Sequence, residues 1–246
     1  MTVGNLNLED CFVRNEDGTL SLILNEEAQF LEYADICDSL DEIIKSYIKD
    51  GRFTVKFKEW DWDFDCKHTD LTSLEGCPDY VKGYFHCNFC KNLTSLVGAP
   101  ERVDGNFECV GCEKLTSLEG APKEVGGYFD CGYCGELTSL KGAPEKVGGD
   151  FICRSCQKLT SLKGSPKEVE NSFNCRECIN LTSLEGAPEK VGGNFICRSC
   201  QKLSSLEGAP KKVGGDIDCR HCIKIKPSQE SFENVGRDII SGNFFF

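Results

Sequence analysis

Residues 192–210 read GGNFICRSCQKLSSLEGAP. Phe195 and Cys197 alternate with Asn194, Ile196 and Arg198, the two-residue period of a short strand with one buried face. Cys200 follows, Leu203 and Leu206 return apolar side chains to the interior, and Gly208 and Pro210 mark a turn. Near-copies recur along the chain. Aligned on LTSL or its variant LSSL, they start at Leu71, Leu93, Leu115, Leu137, Leu159, Leu181 and Leu203, a period of 22 residues without insertion. All but one of the prolines fall in a single column, from Pro78 to Pro210. Self-similarity at this period is the mark of a solenoid in which each repeat is one coil.

The consensus LTSLEGAPKEVGGxFxCxxCxK gives each part of the coil a task. One strand, of roughly three to five residues, carries Phe and Cys. The Gly-Gly pairs ahead of it, at 126–127, 148–149, 192–193 and 214–215, are expected to turn the chain with positive φ, with Glu170-Asn171 in their place in the fifth repeat. The GxP segment turns the chain again, and the coil ends about 4.8 Å from its start, one strand spacing. A lone coil buries too little apolar surface to order its backbone. Stacking must supply the rest, and the two ends need caps.

FxCxxCxxLTSL resembles the leucine-rich repeat in its cysteine-containing form. Phe107 and Cys109 stand for the two strand leucines, and Cys112 for the Asn or Cys that closes the strand. The match covers residues 71–224 and part of the region before them; Cys in place of the second leucine thins the core. The resemblance implies a repeat solenoid, a right-handed coil with a parallel concave β-sheet of short strands, and a protein-binding role. The LTSLEGAP wording is also similar to short repeat proteins of bacteria and their phages, which suggests by analogy an inhibitor of a host defence factor.

The boundaries follow: an acidic α/β cap over 1–50, a degenerate first coil over 51–70, seven repeats over 71–224, and a C-terminal cap over 225–246. In the first cap, FVRNEDGTLSLILN reads as a hairpin around NEDG, and Ser39 to Glu42 as a capping box opening a helix that stops at Gly51. FTVKFKEWDWDFDC alternates strongly and enters the first repeat one residue short of register. Its Trp60, Trp62 and Phe64 either cover the open core or form a docking patch. A short helix is expected around 228–240, with Phe244 to Phe246 either folded onto the last coil or exposed as an interaction tag.

The chain has 18 cysteines and no basic-then-apolar leader at its start, so the expectation is a cytoplasmic protein with mostly free thiols. Successive CxxC pairs have legitimate zinc spacing, and a zinc-binding protein is the alternative reading. Against it, a tetrahedral site takes two repeats and seven pairs do not divide evenly. The first cysteine shares the buried parity of Phe, and the second sits where a small side chain closes a bend. Buried structural thiols are expected, with no cofactor.

The net charge of −12 is concentrated in the first 70 residues and repels bulk nucleic acid and anionic lipid. His68, His86 and His221 belong to no recognisable catalytic motif, so the reading is non-enzymatic. Specific nucleic-acid binding is disfavoured, and no run of apolar residues is long enough to span a membrane. A protein partner is expected on the outward columns of the strands. One column holds Arg154, Arg176, Arg198 and Arg220; the early repeats offer Tyr84, Phe89, Tyr128 and Tyr133, with Trp60 and Trp62 ahead of them. Arg with aromatics is a protein-binding composition. The alternative is a solvated face neutralised by Asp150, Glu177, Asp216 and Asp218.

Overall fold

A computed structural model describes residues 2–3, 6–24, 33–225, 238–239 and 243–245. Residues 71–224 form seven stacked coils of a parallel β-solenoid, numbered here from the coil that opens at Leu71. Each coil carries two very short strands rather than the single strand expected. In coil 3 these are Glu124–Val125 and Phe129–Asp130. Strands of the Phe type pair in register from Phe64–Asp65 to Phe244–Phe245, a parallel ladder of nine. Strands of the Val type form a second ladder.

Seven interior columns result. The two Leu, the Pro, the Val, both Cys and the strand Phe of each coil (Ile217 in coil 7) turn inward, and every Phe of that strand column, from Phe64 to Phe195, is 0% exposed. The rings of Phe85, Phe107, Phe129, Phe151, Phe173 and Phe195 stack nearly parallel with centroids 5.0–5.6 Å apart, slightly more than the strand spacing, as offset stacking requires.

Positive φ does not fall at the Gly-Gly pairs. It falls at the glycine of the GxP segment, where Gly98 (φ 90°) is the third residue of a type II turn closed by Ala99 N–H to Leu96 O at 2.9 Å. It falls again between the two cysteines, at Phe89, Gly111, Tyr133, Ser155, Glu177, Ser199 and His221 (φ 57–68°). The Gly-Gly pairs serve clearance instead. A Cβ on Gly148 would lie 2.2 Å from the Gly126 carbonyl oxygen of the coil below, and one on Gly149 would lie 2.9 Å from Gly127 C and Tyr128 N. Coil 5 is the repeat in which both positions carry a Cβ. There Glu170 N–H reaches Val147 O at 3.4 Å and Asn171 N–H reaches Gly149 O at 3.3 Å, against 2.8–2.9 Å at Gly148, Gly149, Gly192 and Gly193. The second ladder divides at that point, between Lys146–Val147 and Glu168–Val169.

The cysteines line the interior. From coil 2 to coil 7 the second thiol donates to the carbonyl of the first cysteine one coil earlier, as in Cys112 to Cys87 O and Cys134 to Cys109 O, both 3.2 Å. The first cysteines donate in the other direction, as in Cys87 to Glu108 O and Cys131 to Ile152 O, both 3.4 Å, and burial pushes these two thiols well above the usual range. In the degenerate coil Thr69 takes the place of the second cysteine and bonds Cys66 O at 2.7 Å.

Both ends are capped by pairing. Phe12–Arg14 and Leu20–Leu22 form the expected hairpin, and Leu20–Leu22 runs parallel to Phe57–Trp60, joining the cap to the second ladder. The helix is Tyr33–Ser46, so Ser39 lies inside it rather than at its start. Instead of running to Gly51, the chain forms a second hairpin, Ile48–Lys49 with Arg52–Phe53, turning on Asp50 and Gly51, both at positive φ. The degenerate coil pairs Phe64 with Phe85, one residue short of the 22-residue period. At the other end the expected helix over 228–240 falls mostly outside the described residues. Its described part, Asp238–Ile239, is a strand paired with Lys212–Val213. Phe244–Phe245 folds back as the last strand of the first ladder.

Candidate partner-binding face

The outer face of the first ladder is built by strand alternation. With Phe and Cys buried, the residues beside them form two outward columns, and in-register pairing sets equivalent residues one strand spacing apart. The column between Phe and the first Cys runs Asp65, His86, Glu108, Asp130, Ile152, Asn174, Ile196 and Asp218. The next column carries Asn88, Val110, Gly132 and then the four arginines.

The first half of the face is acidic, with His86 between two carboxylates and its Nε2 enclosed without a hydrogen-bond partner among the described residues. His86 lies 3.7 Å from Asp65 and 3.5 Å from Glu108. Glu108 also accepts from Asn88 Nδ2 at 2.7 Å and from the Tyr128 hydroxyl. Burial alone would raise the Asp65 carboxyl, but the nearby His86 and hydrogen bonds from the Lys67 ammonium and backbone N–H hold it at about 2. Burial pulls the His86 imidazole down, and the neighbouring Asp65 and Glu108 carboxylates outweigh it and raise it. Asp130 is raised, chiefly by burial.

The second half is cationic and less completely paired. Arg220 grips Asp218 through Nη2 at 2.7 Å and Nε at 2.9 Å, and lies over the Phe245 ring at 5.2 Å. Arg154 reaches Asp130 only at 3.7 Å, and Arg176 reaches Glu177 only at 4.0 Å. Arg154 Nε and Arg176 Nε are enclosed without a hydrogen-bond acceptor. Arg198 forms no ion pair among the described residues. Of the carboxylates expected to neutralise the stripe, Glu177 and Asp218 approach it, whereas Asp150 and Asp216 accept backbone N–H groups of the following coil or cap, from Ser172 and Asn243.

The aromatics are divided. Tyr84, Phe89 and Tyr133 stand 41%, 43% and 48% exposed. Phe89 and Tyr133 sit at the positive-φ corner, a conformation unfavourable for bulky side chains. Phe89 stacks on His68 at 4.9 Å and leans over Gly111, where a Cβ would come within 2.6 Å of its ring; Tyr133 lies under the Arg154 guanidinium at 5.3 Å. Tyr128 is half-buried. Trp62 is half-buried, with its indole N–H on the Cys37 sulfur at 3.5 Å. Trp60 is corrected: it is 0% exposed, edge-on to Phe12, Phe57 and Phe64, and donates to Asp63 O at 2.9 Å. It closes the core and takes no part in the face.

The corner column was not foreseen from the sequence. Its signal was Gly111, the glycine at a position where every other coil has a side chain.

Among the described residues no three Cys, His, Asp or Glu side chains are grouped to hold a metal ion, and no helix is long and apolar enough to cross a membrane. Comparison with protein-family models, curated proteins and solved structures finds no match to this chain. The chain is thus a stacked parallel β-solenoid of 22-residue coils with an acidic-to-basic outer face.

Proposed function

We propose that the chain is a non-enzymatic recognition scaffold, related to the leucine-rich repeats, that docks a protein partner on the outer face of the first ladder. One observation carries the reading: the arginine stripe is incompletely satisfied from within. An enclosed donor without an acceptor costs about 1–3 kcal/mol, and among the described residues Arg154 Nε and Arg176 Nε are two of them, beside an Arg198 that forms no ion pair there. Carboxylates of a docked partner pair with the accessible guanidinium edges of the half-exposed Arg176 and the exposed Arg198, and Tyr84, Phe89 and Tyr133 supply rigid apolar contact. A host defence factor, the class suggested by the wording of the repeats, is one such partner.

The test begins with a pull-down from the native host to obtain the partner. The double variant Arg176→Glu, Arg198→Glu should retain the wild-type circular dichroism, melt no lower than the wild type and bind at least about tenfold more weakly, because two cationic donors become carboxylates that repel the partner's. Equal affinity for wild type and variant would remove the stripe from the interface.

A further inference from the structure

We infer that the notch between the degenerate coil and coil 1 is a cation-binding subsite that receives an arginine or lysine side chain of the docked protein. This deepens the docking reading and rests on it for the source of the cation, while the notch itself is testable alone. The cavity, about 540 Å³, is lined by Asp61, Trp62 and Asp63 on one coil and by Lys82, Gly83 and Tyr84 on the next.

The site is a departure from the repeat. In coils 3, 4, 6 and 7 the segment joining the two ladders begins Gly-Gly, which leaves that surface bare; the degenerate coil has Asp-Trp-Asp there. The two coils stay close because Gly83 has no side chain: a Cβ would lie 2.2 Å from Asp63 Oδ1 and 2.6 Å from Trp62 C. Asp63 Oδ1 accepts the Tyr84 N–H at 2.7 Å, and Cys37 holds the Trp62 indole N–H, so an aromatic and a carboxylate on the same wall are fixed before any ligand arrives. Tyr84, 41% exposed, offers a second ring.

Two aromatic rings and two carboxylates around one cavity select an organic cation, since ring faces and carboxylates are both negative. The rim already shows the chemistry: the Lys82 ammonium holds Asp61 at 2.7 Å from a half-exposed position. A neutral or anionic group gains neither interaction. The notch lies about four coil spacings, or roughly 20 Å, from the Arg154–Arg176 pair. The partner must therefore present a cationic side chain and an acidic one at that separation, which fixes its direction along the solenoid.

The probe is N-acetyl-arginine amide, with N-acetyl-citrulline amide as the uncharged isostere, and the readout is the indole N–H resonance of the full chain. The two tryptophans report separately. Trp62 should shift and saturate at tens of millimolar probe, and the buried Trp60 should stay still. Lys82→Ala removes the internal competitor and should tighten binding. Asp61→Asn with Asp63→Asn keeps an acceptor oxygen for Tyr84 N–H and should weaken it about fivefold or more. An absent shift, or an equal shift with citrulline, overturns the subsite. Neither result touches the arginine stripe, whose own test uses Arg176 and Arg198.

Discussion

The first ladder runs without interruption through nine strands, whereas the second divides between coils 4 and 5 although the same coils carry both. The difference lies in what stands behind each strand. Behind the first is a column of stacked Phe rings with the thiol-to-carbonyl bonds beside it, so neighbouring coils share large buried surfaces at every step. Behind the second, each coil contributes one Val, and the exposed residue before it is charged in coils 2 to 7, alternating as Arg102, Glu124, Lys146, Glu168 and Lys190 before a second lysine at Lys212. Exposed pairs such as Lys146 with Glu124 at 2.9 Å add little. Two hydrogen-bonded residues per strand do not hold a ladder closed. Side-chain stacking does so on one side, and backbone clearance on the other.

The largest effect should follow from breaking the stack. Phe129→Ala removes a wholly buried ring between Phe107 and Phe151 and is expected to cost about 3–5 kcal/mol in denaturant unfolding. Because coils are coupled to their neighbours, the two flanking halves should also begin to unfold separately, with a lower m-value or two transitions. A single transition with a loss below about 1 kcal/mol would mean that the stack is not the main coupling between coils.

A smaller loss is expected from closing the clearance elsewhere. Gly149→Ala places a methyl against Gly127 C and Tyr128 N of coil 3 and should cost about 1–3 kcal/mol. Hydrogen exchange at the amide of residue 149 should accelerate while that of Cys153 is unchanged. If both amides change together, the two ladders do not respond independently.

Much of this architecture is legible in the sequence because a 22-residue period repeats every packing environment. The burial of Phe and both Cys follows from the FxC alternation, and the one-residue register slip from the spacing between Phe64 and Phe85. The second strand was missed because its pattern, one Val beside a charged residue, is too short to show a period. Gly-Gly was misassigned because glycine answers two demands, positive φ and close approach, that look identical in a sequence. A capping-box pattern such as Ser39 to Glu42 inside a helix is indistinguishable in sequence from one at its start, and Asp50-Gly51 reads equally as a helix stop or a hairpin turn. On the outer face the columns could be assigned from alternation alone. Their pairing could not: that Asp218 holds Arg220 while Arg198 forms no ion pair among the described residues depends on local side-chain geometry.

The smallest effect concerns the break itself and separates its two causes. Coil 2 carries a side chain at the first clearance position, Asp104, and glycine at the second, Gly105; its bonds to coil 1 are 3.0 and 3.1 Å and its strand remains paired with Tyr80–Val81. Coil 5 has side chains at both positions and its strand is unpaired from the preceding one. The second position is therefore the one that decides. Asn171→Gly should restore most of the contact, bringing Lys146–Val147 and Glu168–Val169 into one ladder. Each recovered hydrogen bond contributes about 0.5–1.5 kcal/mol, and the added glycine costs about 0.5–1 kcal/mol through the unfolded chain. The midpoint of unfolding should thus move little, while amide exchange at Glu170 and residue 171 slows. Glu170→Gly alone should leave exchange fast. If instead it slows exchange as much as Asn171→Gly does, the first position shares control, and the comparison with coil 2 points to the aspartate rather than to the glycine beside it.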